Sequence, residues 1–103
     1  MVVSTTENIG RNYEIIGIVK GSTVQTVNAI KDIGAGLKTI IGGELTKYNE
    51  MMDKARAMAT ERMIREAESL RANAIVGVRY SSASVMQGAA EIMAYGTAVK
   101  FRD

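Results

Sequence analysis

Neither cysteine nor histidine occurs among the 103 residues of this chain. The first absence excludes disulfides, iron–sulfur clusters and thiolate catalysis, and it fits a reducing cytoplasm. The two together remove thiolate and imidazole, the donors that hold Cu(I), Cd(II) or Zn(II), and the side chain that most often does general acid–base work. Tryptophan is missing too and aromatics make up only 5%, so a core has to be assembled from Ile, Val, Leu, Ala and seven Met. A domain of this size buries roughly 60–70% of its unfolded surface, and one poor in large side chains gains by burying more against copies of itself. The 13 basic and 11 acidic residues are interspersed rather than blocked. A nucleic-acid partner needs clustered Lys and Arg with aromatics for stacking, so none is expected. No run of about 18 uninterrupted apolar residues is there to span a bilayer. The opening MVVSTTENIGR lacks a basic segment followed by an apolar one, so no secretory signal is expected and the cytoplasm is the expected location.

What the chain does carry is pattern. It has no linker, internal repeat or low-complexity tract and reads as one domain over residues 1–103. Val2 to Thr6 is a short β-type opening and Glu7 to Asn12 a turn. From Tyr13 to Ser22 the run YEIIGIVKGS is rich in β-branched residues and reads as a strand, with Ile16 and Ile18 on one face and Ile15 and Val19 on the other. Apolar residues on both faces predict a central or two-sided strand. Gly17 and Gly21 on the second face predict a bulge or the close approach of another element. Between Val24 and Ile41 apolar residues recur every three or four positions, which predicts an amphipathic helix, broken near Gly34 and Gly36 and stopped by Gly42-Gly43.

From about Thr46 to Ala72 there is no Gly or Pro, and Tyr48, Met51, Met52, Ala55, Met58, Ala59, Met63, Ala67 and Leu70 form one stripe. This is the strongest helix in the chain. Thr46 is placed to cap its start, Asn73 to take the left-handed position after its end, and Glu50–Lys54 and Glu61–Arg65 to pair along its wet face. At 1.5 Å per residue it is about 38 Å long, more than a small sheet needs as cover, so part of it should meet something else. Ala74 to Tyr80 reads as a strand, Ser81 to Ala90 as a loop or ragged hairpin, and Glu91 to Arg102 as a strand alternating large and small side chains. The order implies a two-layer α+β fold, a small and mostly antiparallel sheet covered by one long helix.

Three stretches carry a family resemblance: Gly42-Gly43 with Tyr48 and Ala55-Arg56, then Ala72-Asn73-Ala74-Ile75-Val76-Gly77-Val78, then Gly96-Thr97-Ala98-Val99-Lys100. In order and spacing, over nearly the whole chain, this resembles the YbjQ family of small bacterial and archaeal proteins, often labelled as heavy-metal-binding. At the helix-to-strand junction the family's Leu-Gly-Ala-Asp-Ala stands opposite Leu70-Arg71-Ala72-Asn73-Ala74, a departure that bears on the shape of the helix end. The resemblance implies a dodecin-like subunit assembled into a ring-shaped homopentamer and says little about activity.

The label invites a test of metal chemistry. With no thiolate or imidazole, the remaining soft donors are Met51, Met52, Met58 and Met63, which a ring could repeat. Filling irregular gaps beside alanine is the more ordinary use of methionine. Glu44, Glu50 and Asp53 offer oxygen ligands without a calcium-loop pattern, and solvated face is their simpler role. Ser81, Ser82 and Ser84 have no assignable base and no nucleophile elbow. Gly34, Gly36 and the Gly42-Gly43 pair lack the lysine of a phosphate loop and serve as helix breakers. Tyr48 and Arg56, eight apart on one helix, project within about 80° of each other. They and Gly42-Gly43 are the candidate ligand or subunit contacts, with an interface role the plainer one. The expected function is a homo-oligomeric binding or scaffold module that is not an enzyme. The alternatives are a metal-binding protein using shared Met or carboxylate ligands, and a membrane-surface module built on the Val24 to Ile41 segment.

Overall fold

The computed structural model describes residues 1–25, 43–86 and 89–102, with backbone alone for 43–48. Its elements are β1 (Val2–Val3), β2 (Tyr13–Gln25), α1 (Gly43–Ser69), β3 (Ala74–Met86) and β4 (Ala89–Phe101). The strands form one mixed sheet in the order β1-β3-β4-β2, with β1 parallel to β3 and the other pairs antiparallel. The helix packs on one face, so the two-layer α+β expectation holds. Val24 and Gln25 belong to β2. The remainder of the helix expected over Val24 to Ile41 lies outside the described residues, as do Gly34, Gly36 and Gly42.

Small side chains set how the layers meet. Along α1, Ala55, Ala59, Met63 and Ala67 recur every fourth residue and are fully buried. They pack on Val19 of β2, Ile75 and Val78 of β3, and Ile92, Ala94 and Ala98 of β4. Gly21 sits where the helix comes closest: a Cβ there would run into the backbone of Ala59 and Met63. The close approach expected for this glycine is therefore real. Thr23 adds a buried tether, its hydroxyl donating to the Ala55 carbonyl at 3.3 Å. The buried stripe is narrower than the sequence pattern implied, because Met58 and Leu70 stay exposed.

β2 is an edge strand of the described sheet, not the central or two-sided strand expected from its apolar faces. It also carries a bulge. Ile15 pairs with Val99 and Gly17 with Ala98, so Ile16 is an extra residue and the alternation flips there. Ile15 and Ile18 thus share the sheet face away from the helix, contrary to the assignment made by counting twos. An edge strand presents unpaired backbone groups. Here α1 reaches over two of them, Glu66 accepting from the Lys20 amide at 3.2 Å and Arg62 donating to the Ser22 carbonyl.

A second bulge lies at Gly77 and Val78, between the pairs Val76–Thr97 and Arg79–Tyr95. Gly77 takes a φ of 62°, which glycine reaches without penalty. Of the loop or ragged hairpin expected over Ser81 to Ala90, the structure shows β3 running on antiparallel to β4. Its residues to Met86 stay paired with β4 apart from an irregularity between Ser84 and Met86, so Ser81, Ser82 and Ser84 are strand residues. Cross-strand pairing has overridden the weak strand preference of serine and alanine.

Both expected helix boundaries move. α1 begins at Gly43, so Thr46 is a helical residue rather than the cap and Gly43 a first residue rather than a stop. At the other end the left-handed residue is Arg71, with φ 61°, not Asn73. The Ala72 amide bonds the Ala67 carbonyl and the Arg71 amide the Glu68 carbonyl, the paired bonds of a Schellman ending. Asn73 acts across the sheet instead, its side chain accepting from the Phe101 amide at 2.6 Å. Counted position by position, the family's glycine falls on Arg71. A left-handed non-glycine residue costs roughly 1–2 kcal/mol, partly offset by the freedom glycine has when unfolded. Arg71→Gly is therefore expected to raise stability by about 0.5–1 kcal/mol and the melting midpoint by roughly 3–6 °C, measured by calorimetry.

The face away from α1 is covered only in part. Ile9, Tyr13 and Phe101 pack on Ala74, Val76 and Val99, and the Arg11 guanidinium lies 4.0 Å over the Phe101 ring. Farther along the same face, Ile15 is 72% exposed and Ile18 80%.

Candidate functional site

One flank of α1 carries Met52, Arg56 and Thr60 at intervals of four, and a helix aligns such residues in a row. Across the seam β3 and β4 contribute Tyr80, Ser82 and Ile92, because the Gly77 bulge turns Tyr80 and Ser82 toward the helix. Together with Ser81 they enclose a recess of about 150 Å³. The Thr60 hydroxyl donates to the Arg56 carbonyl at 2.7 Å and stands 2.7 Å from the Tyr80 hydroxyl. Having spent its one proton, Thr60 is the acceptor in the second contact and Tyr80 the donor. The Arg56 guanidinium bonds Asp53 at 2.5 Å, with the two side chains 45% and 74% exposed. An ion pair that open contributes little to stability, which leaves its charge available to a partner.

Of the four candidate contacts, the structure places Arg56 at this recess. Gly43 is the first residue of α1 and the backbone of Tyr48 is helical, while the Tyr48 side chain and Gly42 lie outside the described residues. The grouping of Arg56 with Tyr48 is thus not settled by geometry. Tyr80 lines the recess and Thr60 holds its hydroxyl; both were missed in the sequence, because their meeting depends on how a helix seats on a strand 20 residues away. A recess of this size is below the usual range for small-molecule sites, roughly 300 Å³ upward. Its hydroxyls, guanidinium and thioether suit a contact with another chain. Among the expected helix pairs Glu61–Arg65 forms at 2.5 Å, and Glu50–Lys54 is not among the ion pairs of the described residues.

One helix on a four-stranded mixed sheet, with a small hydroxyl-lined recess at the seam, defines an α+β domain of the YbjQ type. The chain belongs to that family: its model, YbjQ_1, described as "Putative heavy-metal-binding", matches residues 1–102. Similar proteins include a UPF0145 protein of Thermosipho africanus, 56% identical and covering 99% of this chain and 96% of that one. Another, from Alkaliphilus metalliredigens, is 54% identical over 98% and 99% of the two chains. A crystal structure from Pediococcus pentosaceus, of a DUF74-family protein of unknown function, shares the fold with a TM-score of 0.71 at 20% identity, covering 99% of this chain and 98% of that one.

The family description poses a question that the side chains answer. A soft ion needs several sulfur or nitrogen donors converging on one point. Met63 is buried in the core, Met51 and Met52 are half-buried about three turns away along α1, and Met58 is exposed, so these four thioethers do not converge. Among the described residues no three acidic groups gather where they would hold a metal. Within one subunit the described residues do not fit a heavy metal. Nor is any helix among them long and apolar enough to cross a membrane.

Proposed function

We propose that this protein is a homo-oligomeric binding module without catalytic chemistry, whose copies meet over the sheet face that α1 leaves bare. The observation that carries this reading is the exposure of Ile18 at 80% and Ile15 at 72%, with Tyr95 at 39% beside them. Each isoleucine buried at an interface contributes roughly 1.5–3 kcal/mol. The core that holds one subunit together is rich in alanine, so surface of this kind is more valuable against a neighbour than against water. The far end of the β3–β4 hairpin adds to it, with Val85 50% and Met86 68% exposed. Lys20 and Glu91 border the patch and supply a polar rim. The seam recess with Arg56 and Tyr80 is a second contact. The family resemblance favours a ring of five, and the lack of cysteine fits the cytoplasm as its location.

Ile18→Asp tests the reading. In an isolated subunit the substitution falls on an exposed position and is expected to change stability by less than about 0.5 kcal/mol. In an assembly it buries an unpaired carboxylate. Sedimentation velocity is expected to show the variant as single subunits with an unchanged circular-dichroism spectrum, and Ile18→Leu as assembled as the parent. A fully assembled Ile18→Asp protein would overturn the proposed contact.

A further inference from the structure

The bare sheet face also holds a cavity of about 300 Å³ where the loop after β1 passes over β3 and β4. Glu7 and Arg79 line it from opposite elements, the N-terminal loop and the strand just past the Gly77 bulge. Their charges are opposite, yet they are not joined. The ion pairs of the described residues link Arg56 to Asp53, Arg65 to Glu61 and Arg102 to Glu14, and none links Glu7 to Arg79.

Arg79 is held in place by backbone carbonyls, and the backbone that carries Glu7 by a tyrosine. Arg79 Nη1 donates to the Thr5 carbonyl at 2.9 Å and to the Val78 carbonyl at 2.8 Å. Nε and Nη2 keep their donors, since a guanidinium has five in a fixed fork. The Tyr13 hydroxyl donates to the Glu7 carbonyl at 2.7 Å and fixes the loop that carries the Glu7 carboxylate. The rest of the lining is mixed: Ile15 and Val76 are aliphatic, Tyr13 and Thr97 carry hydroxyls, and Gly77 leaves room. Gly77 sets the bulge that brings Arg79 to this face, and its φ of 62° is one that a side chain would strain.

We propose that this cavity binds a small zwitterion of the α-amino-acid class with an aliphatic side chain. The ligand's carboxylate meets the free donors of Arg79 in a charge-assisted pair. Its ammonium meets the Glu7 carboxylate, and its side chain lies on Val76 and Ile15. The volume is at the lower end of the range for ligand sites and admits a compact molecule only. The separation of the two charges discriminates in a way a simple anion site would not, because a ligand with one charge leaves the other protein group unpaired.

L-valine is the probe, with isobutylamine and isovalerate as its singly charged counterparts. Amide shift mapping on the full chain is expected to show saturable changes at Gly77, Arg79 and Thr97 with valine, and binding weaker by about tenfold or more for either counterpart. Glu7→Gln leaves the backbone carbonyl that Tyr13 bonds and is expected to weaken valine about tenfold without weakening isovalerate. Ile15 belongs both to the cavity wall and to the proposed contact between copies, so valine binding is measured on the Ile18→Asp protein, where the face is open; sedimentation of the parent tests the assembly, and the two readings fail separately. No saturation by valine at about 10 mM overturns the proposal. Equal binding of valine and isovalerate does so too, as does an affinity for valine that Glu7→Gln leaves unchanged.

Discussion

Gly21→Ala is expected to lower the stability of the fold by about 3 kcal/mol, at the upper end of what overpacking a core costs. The added methyl would meet the backbone of Ala59 and Met63, and the Arg62 Cβ at 2.7 Å. A flexible side chain can step aside, but a helix backbone cannot yield locally. The helix would have to lift from the sheet, loosening Val19 and Met63 along with it. Gly17→Ala, in the same strand, is the control, because a Cβ there finds nothing within 4 Å. Its cost should be near zero, with any gain coming from a less flexible unfolded chain. Urea denaturation at one fixed protein concentration compares the two, since assembly makes apparent stability depend on concentration. A Gly21→Ala cost below about 1 kcal/mol would contradict the close seating of α1 on β2.

Met63→Ala is the second large effect, at about 3–5 kcal/mol. Met63 is among the largest fully buried side chains, and its neighbours along the helix, Ala59 and Ala67, are too short to close the space it leaves. Gly21 opposite has no side chain at all. Such a site cannot collapse, so the full cavity penalty remains. Met63→Leu keeps most of the volume and should cost less than about 1.5 kcal/mol in the same measurement. Equal costs for the two would mean that packing at this point is loose. Stability of a domain this size is of order 5–15 kcal/mol, so either large change removes a substantial part of it.

These effects depend on small residues whose importance was partly visible in the sequence. The long helix was legible because its alanines and methionines recur at helical spacing, and β4 because large and small residues alternate through Ala94, Gly96 and Ala98. Gly21 was legible as a point of close approach. What could not be read by counting were the faces. A bulge adds one residue and reverses every assignment after it, so Ile15 joined Ile18 and Arg79 came to lie opposite Tyr95. Gly17 was legible as a sign of a bulge, and the register does shift beside it, between Ile15 and Gly17, whereas Gly77 was not read as one. The helix end misled in a different way, because asparagine tolerates a left-handed conformation and stood two residues past the place that needed one. Serines suggested a loop at Ser81 to Ser84, where a long partner strand decided otherwise. At the candidate site Arg56 was found on the family motif, but Tyr80 and Thr60 required the seating of helix on sheet. Tertiary distance of that kind leaves no local trace.

The proposed contact lies on a different surface from the one the sequence pointed to. The overlong helix was to carry the greasy face, yet the buried side of α1 is largely satisfied by the sheet, and Met58 is its one exposed large apolar side chain among those described. The bare surface is the other side of the strands. Native mass spectrometry of the protein purified without added ligand, at micromolar concentration, tests this most directly. The account predicts one dominant species of several copies, five if the ring of the family resemblance applies. A lone 103-residue subunit as the only species would contradict it.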